Sequence, residues 1–319
     1  MKKLIYILFF LLFAQELRAQ QGVEYSQFML NNYGLNPAVA GVGKDWQIML
    51  GRRTQWRGFA NAPESNFAGV TKDLGKKGYR RYWHGVGVYV EQDRYGMFDN
   101  KSAYATYAIH LKVTPRYKLS FGLNAGIRQI TVNNFIIDEN DPAFQNISNG
   151  KLLLYPEFIP GLYFYSNKIT LGFSVRDLYK NKLQEGHKKF GSPAKISPTY
   201  YMTFSKKIFS PNADFNFVPA VLVQSTFTSI PLVNLNIMAY YRKRVGLGIT
   251  YRIHDALSAM IQVRLWDNLV VGFAYDYTIS KFRAAESNST EIMMGFTPVM
   301  SSDSYQSKAN VAQCPKFEY

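Results

Sequence analysis

The chain has 319 residues, a formal charge of +15 and 47% hydrophobic residues, and aromatic residues alone make up 16% of it. A chain of this length forms one or two domains, and no linker of distinct composition divides the sequence. The single cysteine, Cys314, excludes an internal disulfide. No stretch beyond the N-terminus stays apolar for the roughly 18 residues that a transmembrane helix requires, so such a helix is excluded as well.

The N-terminus is typical of a secretory signal peptide. Lys2 and Lys3 precede an apolar run over residues 4–14, which is too short to span a bilayer. Ala19 then offers a small residue for cleavage before Gln20. We therefore expect residues 1–19 to be removed on export, and an uncleaved membrane anchor is the alternative.

The next segment, residues 20–44, lacks alternation, is rich in Asn and Gly, and contains Asn36-Pro37, which disfavours a continuing helix. A free tail would expose its many apolar side chains to water. We predict that it packs in or beneath a barrel formed by the segments that follow, with a disordered periplasmic leader as the alternative. The residues expected to form this plug or partner site are Tyr25, Gln27, Phe28, Met29, Asn31, Asn36, Pro37 and Gly41.

From residue 45 to residue 297, apolar residues repeatedly alternate with small or polar ones. Val245, Leu247 and Ile249, for example, alternate with Gly246 and Gly248. A period of two over about ten residues indicates strands and does not fit helical spacing. The segments of this kind lie near residues 46–56, 63–73, 82–91, 101–113, 118–132, 157–165, 168–175, 199–209, 214–224, 231–241, 244–253, 257–264, 268–277 and 289–297.

These segments number about 14, and a bacterial single-chain outer-membrane barrel requires an even number of strands. We therefore predict an all-β fold, a transmembrane antiparallel β-barrel over residues 45–297. Residues 298–319 would form a periplasmic tail. The small and polar residues on the opposite face leave space in the lumen, which is either an open channel or filled by the N-terminal segment.

The connections between these segments support a membrane barrel. If the first strand runs outward, short turns at residues 166–167, 242–243 and 266–267 fall on the periplasmic side, where such barrels have short turns. Longer connections at residues 92–100, 133–156, 176–198 and 278–288 then fall on the outer side. Residues 75–81 and 254–256 are exceptions in length. A soluble sandwich has no reason to separate its loops by length.

Four tryptophans are candidates for the aromatic girdles of such a barrel. Trp46 and Trp56 are ten residues apart, which at about 3.3 Å per residue and a tilt near 40° corresponds to about 25 Å along the membrane normal. Trp83 and Trp266 lie at strand ends, where girdle residues are expected. His84 and His110 fall on strands and are expected to line the lumen.

Several motifs carry a resemblance to a known family. The principal one is Tyr25-Ser-Gln-Phe-Met-Leu-Asn-Asn-Tyr-Gly-Leu-Asn-Pro-Ala-Val-Ala-Gly41, and it is followed by Arg53-Thr-Gln-Trp-Arg-Gly-Phe59 and His84-Gly-Val-Gly-Val88. Later motifs are Leu171-Gly-Phe-Ser-Val175, Gly272-Phe-Ala-Tyr-Asp-Tyr277 and Cys314-Pro-Lys-Phe317. In this order, over nearly the whole mature chain, they resemble the PorP/SprF family of the type IX secretion system of Bacteroidota.

The resemblance implies an outer-membrane barrel that serves secretion and surface attachment of cargo, including gliding adhesins with a type B C-terminal domain. Its partners would be other secretion components and that cargo. The basic residues between 176 and 198 could also meet lipopolysaccharide, although a solvated loop is the alternative.

No enzymatic motif competes with this interpretation. The four histidines lie in no nucleophile motif, and the sequence has no phosphate-binding loop and no metal-ligand spacing. We therefore expect no enzyme activity, no cofactor and no metal. A passive pore for small solutes is the alternative function.

Overall fold

The computed structural model of the chain describes residues 23–43, 46–59, 61–75, 81–132, 152–178, 184–185, 188–189, 197–209, 214–227, 230–266, 268–280 and 288–298. Nearly all of the described chain after residue 45 is strand. The expected signal peptide, almost all of the expected C-terminal tail, Cys314 and most of the basic segment between residues 176 and 198 lie outside these ranges.

Fourteen long strands are present within the described residues. They are β1 (Trp46–Thr54), β2 (Glu64–Leu74), β3 (Tyr82–Tyr95), β4 (Phe98–Lys112), β5 (Lys118–Val132), β6 (Leu152–Tyr165), β7 (Ile169–Arg176), β8 (Thr199–Lys206), β9 (Phe215–Ser225), β10 (Leu232–Tyr241), β11 (Val245–Arg252), β12 (Ala256–Trp266), β13 (Leu269–Thr278) and β14 (Ser289–Phe296). Short pieces at Gln184–Glu185, Lys188–Lys189 and Ile208–Phe209 accompany them.

The strands form one closed antiparallel barrel. Each strand pairs with the next along the chain, and β14 pairs with β1, where Gly51 lies opposite Met293. β7 also pairs with β8, and β8 with β9, so no edge is left unpaired in the ring. Closure lets neighbouring strands satisfy one another's backbone groups without water, which is the condition for crossing a membrane with strands. The predicted barrel is therefore confirmed.

Along each strand, apolar side chains that face outward alternate with polar or small ones that face the interior. In β11, Leu247 exposes 59% of its surface and Ile249 exposes 53%, whereas Thr250 and Arg252 are buried. A water-soluble barrel would bury its apolar residues instead. The outward apolar face is therefore the surface that contacts lipid.

The two ends of the barrel differ in their connections. The end where even-numbered strands finish, here called the turn end, carries compact connections such as residues 166–168 and 242–244. The opposite end, here called the loop end, includes the longer connections at residues 177–198 and 279–288. Short turns face the periplasm in outer-membrane barrels, so the loop end faces outward.

The prediction of a long loop at residues 92–100 is wrong. Residues 92–100 form most of a hairpin, because β3 and β4 continue beyond the predicted strands until Tyr95 pairs with Phe98. Asp93 and Asn100 also pair within this ladder. The polar residues of this hairpin interrupt the apolar alternation but do not end the strands. Where paired strands extend beyond the lipid, they can present polar side chains on both faces.

The N-terminal residues 23–43 lie inside the barrel and are called the plug below. They include a four-residue helix, Asn32–Leu35, and a 3-10 turn, Pro37–Val39. The side chain of Asn36 accepts a hydrogen bond from the backbone N–H of Ala38 and so caps this turn. No helix within the described ranges has the length and apolar character needed to cross a membrane.

Candidate functional site

The plug is almost completely buried against the inner wall. Its apolar side chains divide into two main clusters, one with Met49, Phe67 and Tyr89 and the other with Val218 and Met238. The plug residues in these clusters are Tyr25, Phe28, Met29, Leu30, Tyr33, Leu35 and Ala40. Each of the fourteen described strands contributes a residue that hydrogen bonds to the plug or shares an apolar cluster with it. The plug is thus fixed on all sides.

The first residues of the plug are held by side chains of β13 and β14. The backbone N–H groups of Ser26 and Gln27 donate to the two carboxylate oxygens of Glu291, each at 2.9 Å. The hydroxyl of Ser26 lies 2.7 and 2.8 Å from the carboxylate oxygens of Asp276. These buried carboxylates replace the water that would otherwise satisfy the backbone donors of the plug.

Two buried arginines neutralise these carboxylates. Arg53 of β1 bridges Asp276 and Glu291, with N–O distances of 2.6 and 3.1 Å. Arg252 of β11 pairs with Glu24 of the plug at 3.4 Å and also with Asp255 at 3.0 Å. Charge-assisted bonds of this kind are the strongest hydrogen bonds of a protein interior, because water does not screen them.

Glu24 is the least compensated member of this ion network. Burial raises the pKa of Glu24, while the nearby Arg252 opposes this shift and Asp255 adds to it. One carboxylate oxygen, Oε1, has no hydrogen-bond donor within the described residues. Glu24 therefore loses its proton less readily in the folded protein than in the unfolded chain.

The middle of the plug is held by tyrosine and arginine side chains. The amide of Asn31 donates to the hydroxyl of Tyr89 at 3.1 Å, and the hydroxyl of Tyr33 forms a hydrogen bond with Thr106. Arg176 of β7 donates to the backbone oxygen of Gly34 at 2.7 Å. The same guanidinium pairs with Glu91 at 2.9 Å and so joins β7 to β3, which lie four strands apart around the ring.

The last part of the plug is bound largely through its backbone. Asn36 donates to the carbonyl oxygens of Leu162 and Phe173, on β6 and β7. The Ser120 hydroxyl donates to the carbonyl of Ala38, and His110 bonds that of Ala40.

The indole N–H of Trp83 donates to the carbonyl oxygen of Gly41 at 3.1 Å. This bond is the last of the series before the chain enters β1. Together these contacts order every turn of a segment that contains little regular structure.

Inward glycines of the wall make room for the plug. A Cβ atom at Gly122 would overlap the backbone of Pro37 and Ala38, and one at Gly85 would overlap the carbonyl of Ala40. A Cβ atom at Gly272 would overlap the side chain of Gln27. The wall and the plug thus fit only because these positions lack side chains.

The plug runs from the loop end to the turn end. Its first residues contact Arg53, Asp276 and Glu291, which lie near the loop end of their strands. Its last residues contact Trp83 and Ser120, which lie near the turn end. The chain therefore descends through the lumen before it turns into β1.

A sequence model of the family described as type IX secretion system membrane protein PorP/SprF matches residues 17–296. This range covers the plug and all but the final described residues of the barrel. The chain belongs to the PorP/SprF family. No protein of curated function matches the chain in sequence.

Solved structures support the fold alone. The CymD monoaromatic hydrocarbon channel is 11% identical, with a TM-score of 0.51, and the match covers 87% of this chain and 94% of that one. The toluene transporter TbuX of Ralstonia pickettii is 12% identical with a TM-score of 0.49, over 82% and 92% of the two chains. Omp33 of Acinetobacter baumannii is 7% identical with a TM-score of 0.44, over 81% and 100%. The likeness to CymD agrees with an outer-membrane barrel.

The structure brings the eight predicted plug residues together inside the barrel. Within the part of the chain that the structure describes, the residues Tyr25, Gln27, Phe28, Met29, Asn31, Asn36, Pro37 and Gly41 are all buried. Asn31, Asn36 and Gly41 make the hydrogen bonds described above. Gly41 has φ of +79°, a conformation that favours glycine, and permits the turn toward β1.

The predicted tryptophan positions differ in outcome. Trp266 exposes 66% of its surface at the turn end, and Trp46 lies on the outward face of β1. Trp56 lies at the opposite end, in the β1–β2 connection, with φ of +46°. Trp83 is 2% exposed and stacks on His110 inside the barrel, so its predicted girdle position is wrong. The indole faces inward, where its N–H donates to the carbonyl oxygen of Gly41 in the plug.

The two histidines that were predicted to line the lumen also differ in outcome. His110 lines the interior as expected, whereas His84 faces outward and bonds the exposed Tyr107 hydroxyl at 2.7 Å. The expected lumen position of His84 is therefore wrong, because it lies one residue from the inward Trp83 and alternation places it on the other face.

Sequence reasoning did not single out the charged residues that hold the plug. Arg53, Arg176, Arg252, Asp276 and Glu291 are buried in or at the ends of strands. In the sequence, each of these charged residues stands at a position that the strand alternation directs inward. A charge that is buried in this way implies a buried partner. No cluster of His, Cys, Asp or Glu that could hold a metal ion occurs in the described ranges.

Proposed function

We propose that this PorP/SprF barrel supports secretion and cell-surface attachment of partner cargo by the type IX system, with gliding adhesins that carry a type B C-terminal domain as one kind of cargo. The family match over residues 17–296 is the observation that carries the proposal. Other secretion components are the partners at the periplasmic side.

The plug supports a role in binding rather than in open conduction. It lies across the lumen with its apolar side chains in the wall clusters and its polar groups paired to buried side chains. A passive pore for small solutes needs a continuous aqueous path, and a fixed segment in the lumen opposes one. We retain the pore as the alternative because the solved channels share the fold.

The test is a deletion of residues 21–39 that keeps the signal peptide and β1. The barrel should still insert, since its wall pairing is independent of the plug and water can satisfy the polar interior. Single-channel conductance should rise, and surface display of the cargo that depends on this barrel should be lost. Heat-modifiable migration of the variant establishes that the barrel has folded.

A second variant distinguishes loss of the whole plug from loss of single hydrogen bonds that hold the plug to the wall. The change Asn36→Ala removes the hydrogen bonds to β6 and β7 but keeps the chain length. It should reduce cargo display less than the deletion. An inserted deletion variant with unchanged conductance and normal cargo display would contradict the proposal, whereas raised conductance with normal display would favour the pore.

A further inference from the structure

Charge is separated along the barrel axis. Among the acidic residues that the structure describes, only Asp73 and Asp214 lie at the turn end, and the others lie toward the loop end or in the plug. Basic residues occur at both ends, but at the turn end they far outnumber the two described acidic ones. A barrel that merely needed solubility at its periplasmic rim would show mixed charges there.

Six basic residues form what we call the basic collar. They lie at the turn-end limits of β2 and β8 and in the turns β4–β5, β6–β7 and β10–β11, and five of them are exposed. They are Lys72, Arg116, Lys168, Lys206, Lys243 and Arg244. Because the strands close into a ring, these positions are distributed around much of the rim rather than on one loop.

Aromatic side chains lie at the same level as the collar. The ammonium of Lys72 lies 4.7 Å from the ring centre of Trp46, its partner across β1 and β2. The guanidinium of Arg242 lies 5.2 Å from the ring of Tyr241. Trp266 exposes 66% of its surface at the end of β12. Aromatic rings beside basic side chains are typical of the boundary between lipid tails and headgroups.

We propose that the basic collar binds the phosphate headgroups of anionic phospholipids in the periplasmic leaflet of the outer membrane. The turn end faces the periplasm, and the outward apolar face of the strands continues directly into the collar. Lys and Arg side chains placed there reach the headgroup level with their apolar stems against the wall. The axial charge separation then fixes the depth and orientation of the barrel.

Lipid fits this surface better than an acidic protein does. The collar extends from β2 to the β10–β11 turn around much of the rim, as contact with a lipid annulus requires, whereas a protein partner covers one side. The rings of Trp46, Tyr241 and Trp266 lie at the edge of the lipid-facing wall and not in the lumen. The proposal does not depend on the cargo role.

The chain contains its own reporter for the test. A variant with Trp46→Phe and Trp56→Phe leaves Trp266 as the exposed tryptophan, since Trp83 is buried. Arg244 lies close to this reporter, because its carbonyl accepts the backbone N–H of Arg264 at 2.8 Å. The full chain is reconstituted in phosphatidylcholine vesicles that contain brominated phosphatidylglycerol or brominated phosphatidylcholine, and quenching of Trp266 gives their relative association constant.

Phosphatidylglycerol should be preferred several-fold near Trp266. The double change Lys243→Gln and Arg244→Gln should lower this preference to near unity, because it removes the two basic side chains of the collar nearest to the reporter. A matched double change at the loop end, Arg52→Gln with Lys101→Gln, should leave it unchanged, because both side chains are exposed but distant from the reporter.

Three results would overturn the proposal. The first is equal quenching by the two lipids in the parent protein, which would indicate that the collar binds an acidic protein and not lipid. The second is an equal loss of preference in the collar and loop-end variants. The third is loss of the preference when inorganic phosphate is added at constant ionic strength, which would assign the collar to free phosphate.

Discussion

At the scale of single residues, Arg52 and Arg53 show how one step along a strand changes the role of an arginine. The Arg52 side chain is 60% exposed and pairs with Glu64, whereas that of Arg53 is 1% exposed and bridges Asp276 and Glu291. Alternation along β1 is the whole cause of the difference. The exposed pair is screened by solvent, and the buried one is not.

The change Arg53→Met should therefore destabilise the protein strongly, by about 3–5 kcal/mol, since it leaves Glu291 without its cation and Asp276 with only Arg252, at 3.9 Å. The matched change Arg52→Met should cost less than about 1 kcal/mol. Urea unfolding of the purified protein in detergent, followed by heat-modifiable migration, measures both. Equal effects of the two substitutions would contradict the assigned network.

A pH dependence is expected from Glu24. Burial raises the pKa of Glu24 above its ordinary value of 4.5. A raised pKa in the folded state means that folding binds a proton, so the stabilisation is complete below pH 4.5 and is lost as pH rises through the folded pKa. The groups that face Glu24 are Arg252, Arg53, Asp255 and Asp276.

The variant Glu24→Gln should remove this dependence. An amide cannot ionise, and Arg252 keeps Asp255 at 3.0 Å as a counter-charge. Relative to the variant, the wild-type protein should lose thermal stability from pH 4.5 toward neutrality. Unfolding midpoints at several pH values measure the difference, and a difference that does not change with pH would show that Glu24 stays ionised.

At the scale of elements, the fit between β5 and the plug depends on Gly122. A larger side chain there would displace the backbone of Pro37 and Ala38. The hydroxyl of Ser120, two residues earlier on the same face, donates to the carbonyl of Ala38 at 2.8 Å. The strand therefore binds the plug through one small residue and one polar residue at successive inward positions.

The change Gly122→Val should displace the plug at this point and cost about 1–3 kcal/mol through overpacking. Gly122→Ala should have a smaller effect of the same kind. The control Ala125→Val adds a similar volume on the outward, lipid-facing side of β5 and should be tolerated. Protease cleavage within the plug and single-channel conductance report the displacement. Equal behaviour of the Gly122 and Ala125 variants would refute it.

At the scale of the whole molecule, the direction of the plug places its first described residues near the outer surface. Residues 24–27 contact the loop-end parts of β13 and β14, while β1 starts at the turn end. The chain therefore crosses the lumen once before the first strand begins.

This topology predicts labelling from outside the cell. In a Cys314→Ser background, Val23→Cys should react with a membrane-impermeant maleimide on intact cells, because Val23 is only partly buried at the loop end. The control Lys168→Cys, exposed in a turn at the opposite end, should react only after the outer membrane is permeabilised. Labelling of Lys168→Cys alone on intact cells would reverse the orientation.

The amino-acid sequence by itself determined the wall. Fourteen segments of period-two alternation predicted the described strands to within a few residues, since burial on one side of a sheet imposes that period directly. The absence of this alternation over residues 20–44 is the reason that the sequence predicts a separate segment there, and the described residues 23–43 contain no strand. The extension of β3 and β4 was missed where both faces are polar, because alternation loses its meaning beyond the lipid.

Only the tertiary structure decided what faces the lumen and which groups meet there. Trp83 and His84 are adjacent in sequence, and neither residue type states which of the two faces inward. Likewise, Ser26 meets Asp276 and Glu291 across 250 or more intervening positions. Such contacts depend on closure of the ring, which brings β1 beside β14, and on a glycine-lined interior that admits the plug. The local sequence pattern carries no information about which residues meet when they lie so far apart in the chain.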